Sequence, residues 1–153
     1  MRFAALSPGR AAICIALIAV PATLLAQADK TVPFKTGKFE AKTNDGDTCS
    51  ATIGIGSSLQ TLKTTQLFGA SYKSKDCQIR LAIVDVKGPG KYGKGNIYNF
   101  STNWGATQQP WNYNGRNDDC TFTFTKLDET GAAATITCSG TAPFKSATLT
   151  AAP

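Results

Sequence analysis

Two runs of alternating apolar residues surround the Asp-Glu-Thr-Gly turn at 128–131, and they constrain the fold more than any other feature. The members of the two runs are Cys120, Phe122, Phe124, Ala134, Ile136 and Cys138. If Cys120 lies opposite Cys138 in an antiparallel pair, every one of these side chains falls on the same face. The sequence therefore predicts a hairpin with one buried face and a disulfide between Cys120 and Cys138.

A second alternation begins at Cys77. Apolar residues occupy every other position from Cys77 to Ile83, with Gln78 and Arg80 between them, which is typical of a strand with one buried and one wet face. A glycine-rich loop at 88–95 follows, and an extended run resumes at 97–100. This pattern predicts a long hairpin at the centre of the sheet.

The N-terminus has the three parts of a cleaved secretory signal. Arg2 and Arg10 precede an apolar run at 11–25, which ends in Ala-Gln-Ala at 26–28. We expect cleavage after Ala28, which leaves a single β domain at 29–153 in a secreted or periplasmic protein. The apolar run is too short to span a bilayer comfortably, and no later segment has the length of about 20 apolar residues that a membrane helix needs.

The cysteine count supports the same compartment. Cys14 leaves with the leader, so the expected domain keeps four cysteines, an even number that in an exported chain predicts two disulfides. Four cysteines allow three connectivities; pairing Cys120 with Cys138 leaves Cys49 with Cys77. A four-cysteine zinc site is the weaker interpretation, because the chain has no close C-x-x-C spacing and no histidine.

The remaining segments predict further strands. They lie at 38–42, 48–55, 57–75 and 145–151. Ile55 is expected to face inward, the last strand to lie at a sheet edge, and a one-turn helix near Ser58 is an alternative for part of 57–75. A long connection is expected at 101–119. Short strands, glycine turns and no long helix predict an all-β fold, a small antiparallel β-sandwich or a partly closed barrel, stapled by disulfides.

The glycine loop resembles part of a phosphate-binding loop but lacks its chemistry. Gly88 to Lys94 fits G-x-x-x-x-G-K, yet Gly95 stands where a Ser or Thr must hold magnesium, and a strand follows instead of a helix. The acidic turns at 44–47 and 117–119 do not match a calcium loop. We expect no nucleotide, no metal and no other cofactor.

Composition argues against catalysis and against nucleic acid. The absence of histidine excludes Ser-His-Asp, Cys-His and His-zinc schemes, which leaves a pair of carboxylates as the one remaining enzymatic alternative. The net charge is +6, and two of its cations belong to the leader. Because the basic residues are spaced singly, we interpret them as a solvated surface and expect no nucleic-acid partner; attraction to an anionic polymer is the alternative.

The region 88–116 concentrates aromatic residues among amide side chains. The candidate binding residues are Tyr92, Trp104, Trp111, Tyr113 and Arg116. We expect a non-enzymatic binding module that uses this region to contact an unknown protein; in the alternative, exposed rings stack against a polysaccharide. A third interpretation is that Trp104 and Trp111 fold inward and close one end of the sandwich.

Overall fold

The computed structural model describes residues 30–62, 65–104 and 109–153, and these ranges contain twelve β-strands and no helix. The strands are β1 (Lys30–Pro33), β2 (Lys38–Thr43), β3 (Thr48–Ile53), β4 (Ser58–Leu62), β5 (Thr65–Lys73), β6 (Cys77–Val86), β7 (Gly90–Tyr92), β8 (Ile97–Trp104), β9 (Gln109–Asn112), β10 (Asp119–Asp128), β11 (Gly131–Ser139) and β12 (Phe144–Ala151).

All twelve strands belong to one antiparallel sheet that curls into a half-barrel. The strand order is β7-β10-β11-β12-β2-β3-β5-β6-β8-β9, with β4 paired beside β5 and β1 beside β4. Both hairpins predicted from the sequence are present, as β6 with β8 and as β10 with β11, but β6 and β8 lie near one end of the strand order and not at its centre. The all-β prediction is confirmed.

The concave side of the curled sheet holds the core. Its largest fully buried side chains include Tyr72, Phe39, Phe68, Phe100, Phe122 and Phe144. Phe100 makes edge contacts with Phe122 and Phe144, at ring-centre distances of 5.2 and 5.9 Å, which join the β8 side of the sheet to the β10–β12 side. Aromatic pairs of this kind add to the energy of area burial by about 0.5–1.5 kcal/mol each.

The register of the β10–β11 hairpin agrees with the sequence prediction at every pair. Cys120 lies opposite Cys138, Phe122 opposite Ile136 and Phe124 opposite Ala134. The Cys120–Cys138 and Cys49–Cys77 disulfides are both present. The parity of apolar residues across one turn was therefore sufficient to predict both connections, and two disulfides fit an oxidising compartment.

Other details differ from the prediction. The strand expected at 48–55 ends at Ile53, and Ile55 is fully exposed because the chain turns at Gly54 and Gly56, the latter with φ +87°. The segment 57–75 forms β4 and β5, without a helix at Ser58. β12 is not an edge strand, since it pairs with both β11 and β2.

Three short strands, β1, β7 and β9, were missed because they lie in segments with no apolar alternation; β1 lies in what was expected to be an extended lead-in at 30–37 and pairs with β4. β7 lies inside the glycine loop and pairs with β10. β9 lies inside the predicted long connection at 101–119 and pairs with β8, which itself continues to Trp104. The described residues of this connection are therefore mostly sheet. The leader predicted at 1–28 lies outside the described residues.

Candidate functional site

The five candidate binding residues differ in exposure. Tyr92 and Trp104 are buried, with 9% and 8% of their surface exposed. The Tyr92 hydroxyl accepts a hydrogen bond from the Lys87 amide (3.0 Å) and donates one to the Gly88 carbonyl (2.7 Å), so it fastens the glycine loop. The Trp104 ring stacks on Phe144 at 5.7 Å. Neither ring presents a face to solvent.

Trp111 and Tyr113 are half-buried, and Arg116 is exposed. The Trp111 ring meets Phe100 edge to face at 5.3 Å, and its indole N–H donates to the Thr141 hydroxyl at 3.2 Å. Both tryptophans therefore pack against the core: Trp104 is buried, and the half-buried Trp111 contacts Phe100 and Phe144.

Asp118 anchors the segment that follows β9. Its carboxylate accepts hydrogen bonds from the Asn114 amide (2.9 Å) and from the amide and hydroxyl of Thr141 (2.8 and 2.7 Å). Burial disfavours its charge, but these hydrogen bonds outweigh burial and hold the pKa of Asp118 below its ordinary value. Gly140 allows the close approach, since a Cβ there would overlap the Asn117 carbonyl.

Tyr113 lies close to the carboxylates of Asp118 and Asp119. Burial, together with the carboxylates of Asp119 and Asp118, raises the pKa of Tyr113 above its ordinary value. Its hydroxyl oxygen is buried and has no hydrogen-bond partner among the described residues. Trp104, Trp111 and Tyr113 thus pack against the core, and β9 pairs with β8.

The outer side of β6, β8 and β9 carries a polar cleft of about 270 Å³. We call its outward-facing side chains the amide face, which consists of Gln78, Arg80, Ser101, Asn103 and Asn112. The sheet register brings them together, since Gln78 pairs with Asn103, Arg80 with Ser101, and Ser101 with Asn112. Pro110 also lines the cleft.

Arg80 is the charged centre of the amide face. The Gln78 side-chain oxygen, in the orientation that satisfies both groups, accepts from the Arg80 Nε (3.2 Å) and Nη2 (3.1 Å). The one salt bridge among the described residues joins Lys30 to Glu129, so no described carboxylate neutralises Arg80. A neutral amide therefore orients the guanidinium and leaves its charge available to a ligand.

A smaller cleft of about 160 Å³ continues from the first. The two clefts share Gln78 and Asn103, and the second adds the turn between β5 and β6, with Lys73, Lys75 and Asp76. The Oδ1 atom of Asn103 is buried and has no partner among the described residues. An unsatisfied buried acceptor of this kind costs about 1–3 kcal/mol.

A β-bulge adds an exposed ring near one end of the amide face. Ala82 pairs with Asn99 and Ile83 pairs with Ile97, which leaves Tyr98 as the extra residue. Because of this bulge, Tyr98 and Asn99 are both exposed while Ile97 and Phe100 both stay buried. Tyr98 is 80% exposed. Of the five candidate binding residues predicted from the sequence, only Arg116 is also exposed.

A further cleft, of about 480 Å³, lies between β1 and the turn after β3. Its apolar lining includes Pro33, Phe34, Ile53 and Ile55. The Ser57 hydroxyl in its wall is engaged within the protein, donating to the Gly54 carbonyl (2.9 Å) and accepting from the Ser71 amide (3.0 Å). Specific sites combine apolar surface with convergent polar groups, and this one offers few of the latter.

Comparison with known proteins gives no relative: no family model, no curated protein and no solved structure matches this chain. Within the described ranges there is also no helix long and apolar enough to cross a membrane. Function must therefore be argued from the site itself. Sequence reasoning assigned Gln78 and Arg80 to a wet strand face, but only the cross-strand register shows which residues they meet.

Proposed function

We propose that this protein is an exported, non-enzymatic binding module whose recognition surface is the amide face. The observation that carries the proposal is the cleft in which Arg80, oriented by Gln78 and not neutralised by a described carboxylate, lies among hydroxyl and amide side chains. Most of this surface belongs to β8 and β9, within the 88–116 region that the sequence singled out.

The acidic residues support a role without catalysis. General acid-base chemistry near neutral pH needs a carboxyl group with a raised pKa. The pKa of Asp118 is lowered by its hydrogen bonds, although burial opposes them, and the Thr130 side chain and backbone lower the pKa of Asp128. None of the residues that line the cleft beside Arg80 is a carboxylate.

Export is supported by two disulfides and by the leader predicted at 1–28. A secreted or periplasmic location would place the amide face where polymers of the cell surface and of the surroundings are available. The partner would be held by hydrogen bonds and one charge, since all five side chains of the amide face are polar.

Recognition of a carbohydrate by ring stacking is the second candidate. The exposure of Tyr98 favours it, because a ring that is 80% exposed can lie flat against a sugar. In this version Tyr98 takes the place of Trp104, Trp111 and Tyr113 as the stacking ring.

The amide face is tested by nuclear magnetic resonance on the ¹⁵N-labelled exported protein. The probes are cellohexaose, a galacturonate heptamer and hexaglutamate, added separately. We expect at least one probe to shift the amide signals of Arg80, Ser101 and Asn112 and to leave those of Ile55 and Thr135 unchanged. Shifts that cluster at Ile55, or no shift with any probe, would reject the amide face as the recognition surface.

A further inference from the structure

We infer that the ligand of the amide face is an acidic polysaccharide, whose anionic groups pair with Arg80 while its hydroxyls pair with the surrounding amides. This inference rests on the proposed function and names the chemistry of its ligand. It follows from the charges, the hydrogen-bonding groups and the shape of the two joined clefts.

The charges around the clefts favour an anion. Three cations, Arg80, Lys73 and Lys75, line the two clefts, against the single carboxylate of Asp76. Lys73 and Arg80 are exposed, and neither forms a salt bridge with a described residue. The end of the Arg80 guanidinium opposite Gln78 donates to no described residue, so its N–H groups can donate to a carboxylate or sulfate group.

The neutral groups favour a ligand rich in hydroxyls. Ser101, Asn103 and Asn112 each have both a donor and an acceptor, as a sugar hydroxyl does. The acceptor atoms of these side chains can be satisfied only by a donor. A simple anion provides no such donor, whereas a sugar acid provides both the anion and several hydroxyls.

The shape favours a chain over a single sugar. The two clefts share Gln78 and Asn103 and run together across β9, β8 and β6 to the turn after β5. Neighbouring strands lie about 4.8 Å apart, so four strands span roughly 14 Å. That length corresponds to a few sugar units and not to one.

Two other anionic polymers fit less well. Single-stranded nucleic acid is held by aromatic rings on which bases stack, and none of the described residues that line the clefts is aromatic. An extended acidic peptide is usually bound along an open sheet edge, which satisfies its backbone. The clefts lie on the face of the sheet, where the backbone of β8 is paired with both β6 and β9, so a peptide lying in them would find side chains only.

Calorimetric titration of the exported protein with a galacturonate heptamer tests the inference. The matched ligand is the fully methyl-esterified heptamer, which keeps the sugars and removes the charge. We expect the acidic heptamer to bind and the ester to bind at least about tenfold more weakly, the usual value of a charge-assisted contact. Equal binding of the two would overturn the inference and leave the amide face as a site for neutral sugars.

Three variants separate a site at Arg80 from general attraction to polyanions. R80Q should weaken binding of the acidic heptamer at least about tenfold, and R80K, which keeps the charge without the planar fork, should lie between R80Q and the parent. K42Q removes one exposed cation from β2, on another part of the sheet, and should leave binding unchanged. Equal losses for R80Q and K42Q would overturn the inference.

Two further ligands complete the test. A sulfated dextran oligosaccharide that binds with the same dependence on Arg80 supports an acidic polysaccharide and identifies sulfate as an acceptable anion. Hexaglutamate binding as tightly as the heptamer overturns the assignment to polysaccharide. Because Arg80 is exposed, R80Q should fold as the parent does, which its thermal unfolding curve verifies.

Discussion

The two outer surfaces of the sheet are built from different side chains. On β10, β11 and β12 the outward positions form what we call the hydroxyl face, consisting of Thr121, Thr123, Thr135, Thr137, Thr148 and Thr150. These residues line up across the strands, with Thr123 opposite Thr135 and Thr135 opposite Thr148. On β6, β8 and β9 the corresponding positions hold the long side chains of the amide face.

The side chains of the hydroxyl face are explained by the needs of folding, whereas those of the amide face are not. Threonine is β-branched and favours strands, so the hydroxyl face is explained by strand propensity and solubility alone. Asparagine is depleted in strands, yet Asn99, Asn103 and Asn112 all lie in β8 or β9. Residues that disagree with the strand propensity of their segment are most often found at functional sites. The amide face contains such residues, and the hydroxyl face does not.

The largest expected effect concerns the support beneath the amide face. W104A should lower the free energy of unfolding by about 3–5 kcal/mol, because it removes a buried ring that stacks on Phe144. W111A is the matched variant and should cost less, about 2 kcal/mol, since Trp111 is half-buried and loses one hydrogen bond. Urea unfolding of both measures the difference. A cost below 1 kcal/mol for W104A would return Trp104 to the list of exposed binding residues.

A smaller effect concerns Asp118, which joins the segment after β9 to the turn before β12. D118N should lose about 2–3 kcal/mol at pH 7, because its carboxylate accepts three hydrogen bonds. The folded-state pKa of Asp118 lies below its ordinary value of 3.8, so its contribution is complete above that value and is lost as the pH falls through the folded-state pKa.

The pH dependence is the sharper part of this prediction. Thermal unfolding of the parent and of D118N should differ most near pH 7, and the gap should narrow steadily below about pH 4. D119N, at an exposed neighbouring residue, is the control and should stay close to the parent throughout. A gap between the parent and D118N that widened in acid would contradict the assigned direction.

The smallest effect concerns the hydroxyl face. T135V with T148V keeps the β-branched shape of a cross-strand pair and removes both hydroxyls. We expect a change in unfolding free energy within about 0.5 kcal/mol and no change in binding of the acidic heptamer. Loss of binding in this double variant would end the distinction between the two faces.

Much of the fold could be predicted from alternation. A period of two identified the strands at 38–42, 77–83, 120–124 and 134–138, and parity across one turn identified both disulfides. β7 and β9 have only three and four residues, too few for a period, so only their partners define them. The place of β12 between β11 and β2 likewise depends on pairing with a strand about 100 residues away, which no local pattern encodes.

The candidate site was harder to predict. Trp104 lies among polar residues in the sequence, but strand parity with Phe100 turns it inward, and the continuation of β8 to Trp104 was not recognised. Gln78 and Arg80 were assigned to a wet face, but a wet face is ordinary in an antiparallel sheet. The cleft at Gln78 and Arg80 forms because the strand register places Ser101, Asn103 and Asn112 beside them. That register depends on the pairing of β6 with β8 and of β8 with β9, which no single segment of the sequence encodes.

The place of β12 has a consequence for the order of assembly. β2, formed early in the chain, finds one neighbour in β3 and the other only in β12, and β7 waits for β10. A growing chain therefore exposes unpaired strand edges until its twelfth strand has been made, and pairings of such long range form slowly. A chain that cannot complete its sheet early stays incompletely folded for longer, with unpaired strand edges open to other chains.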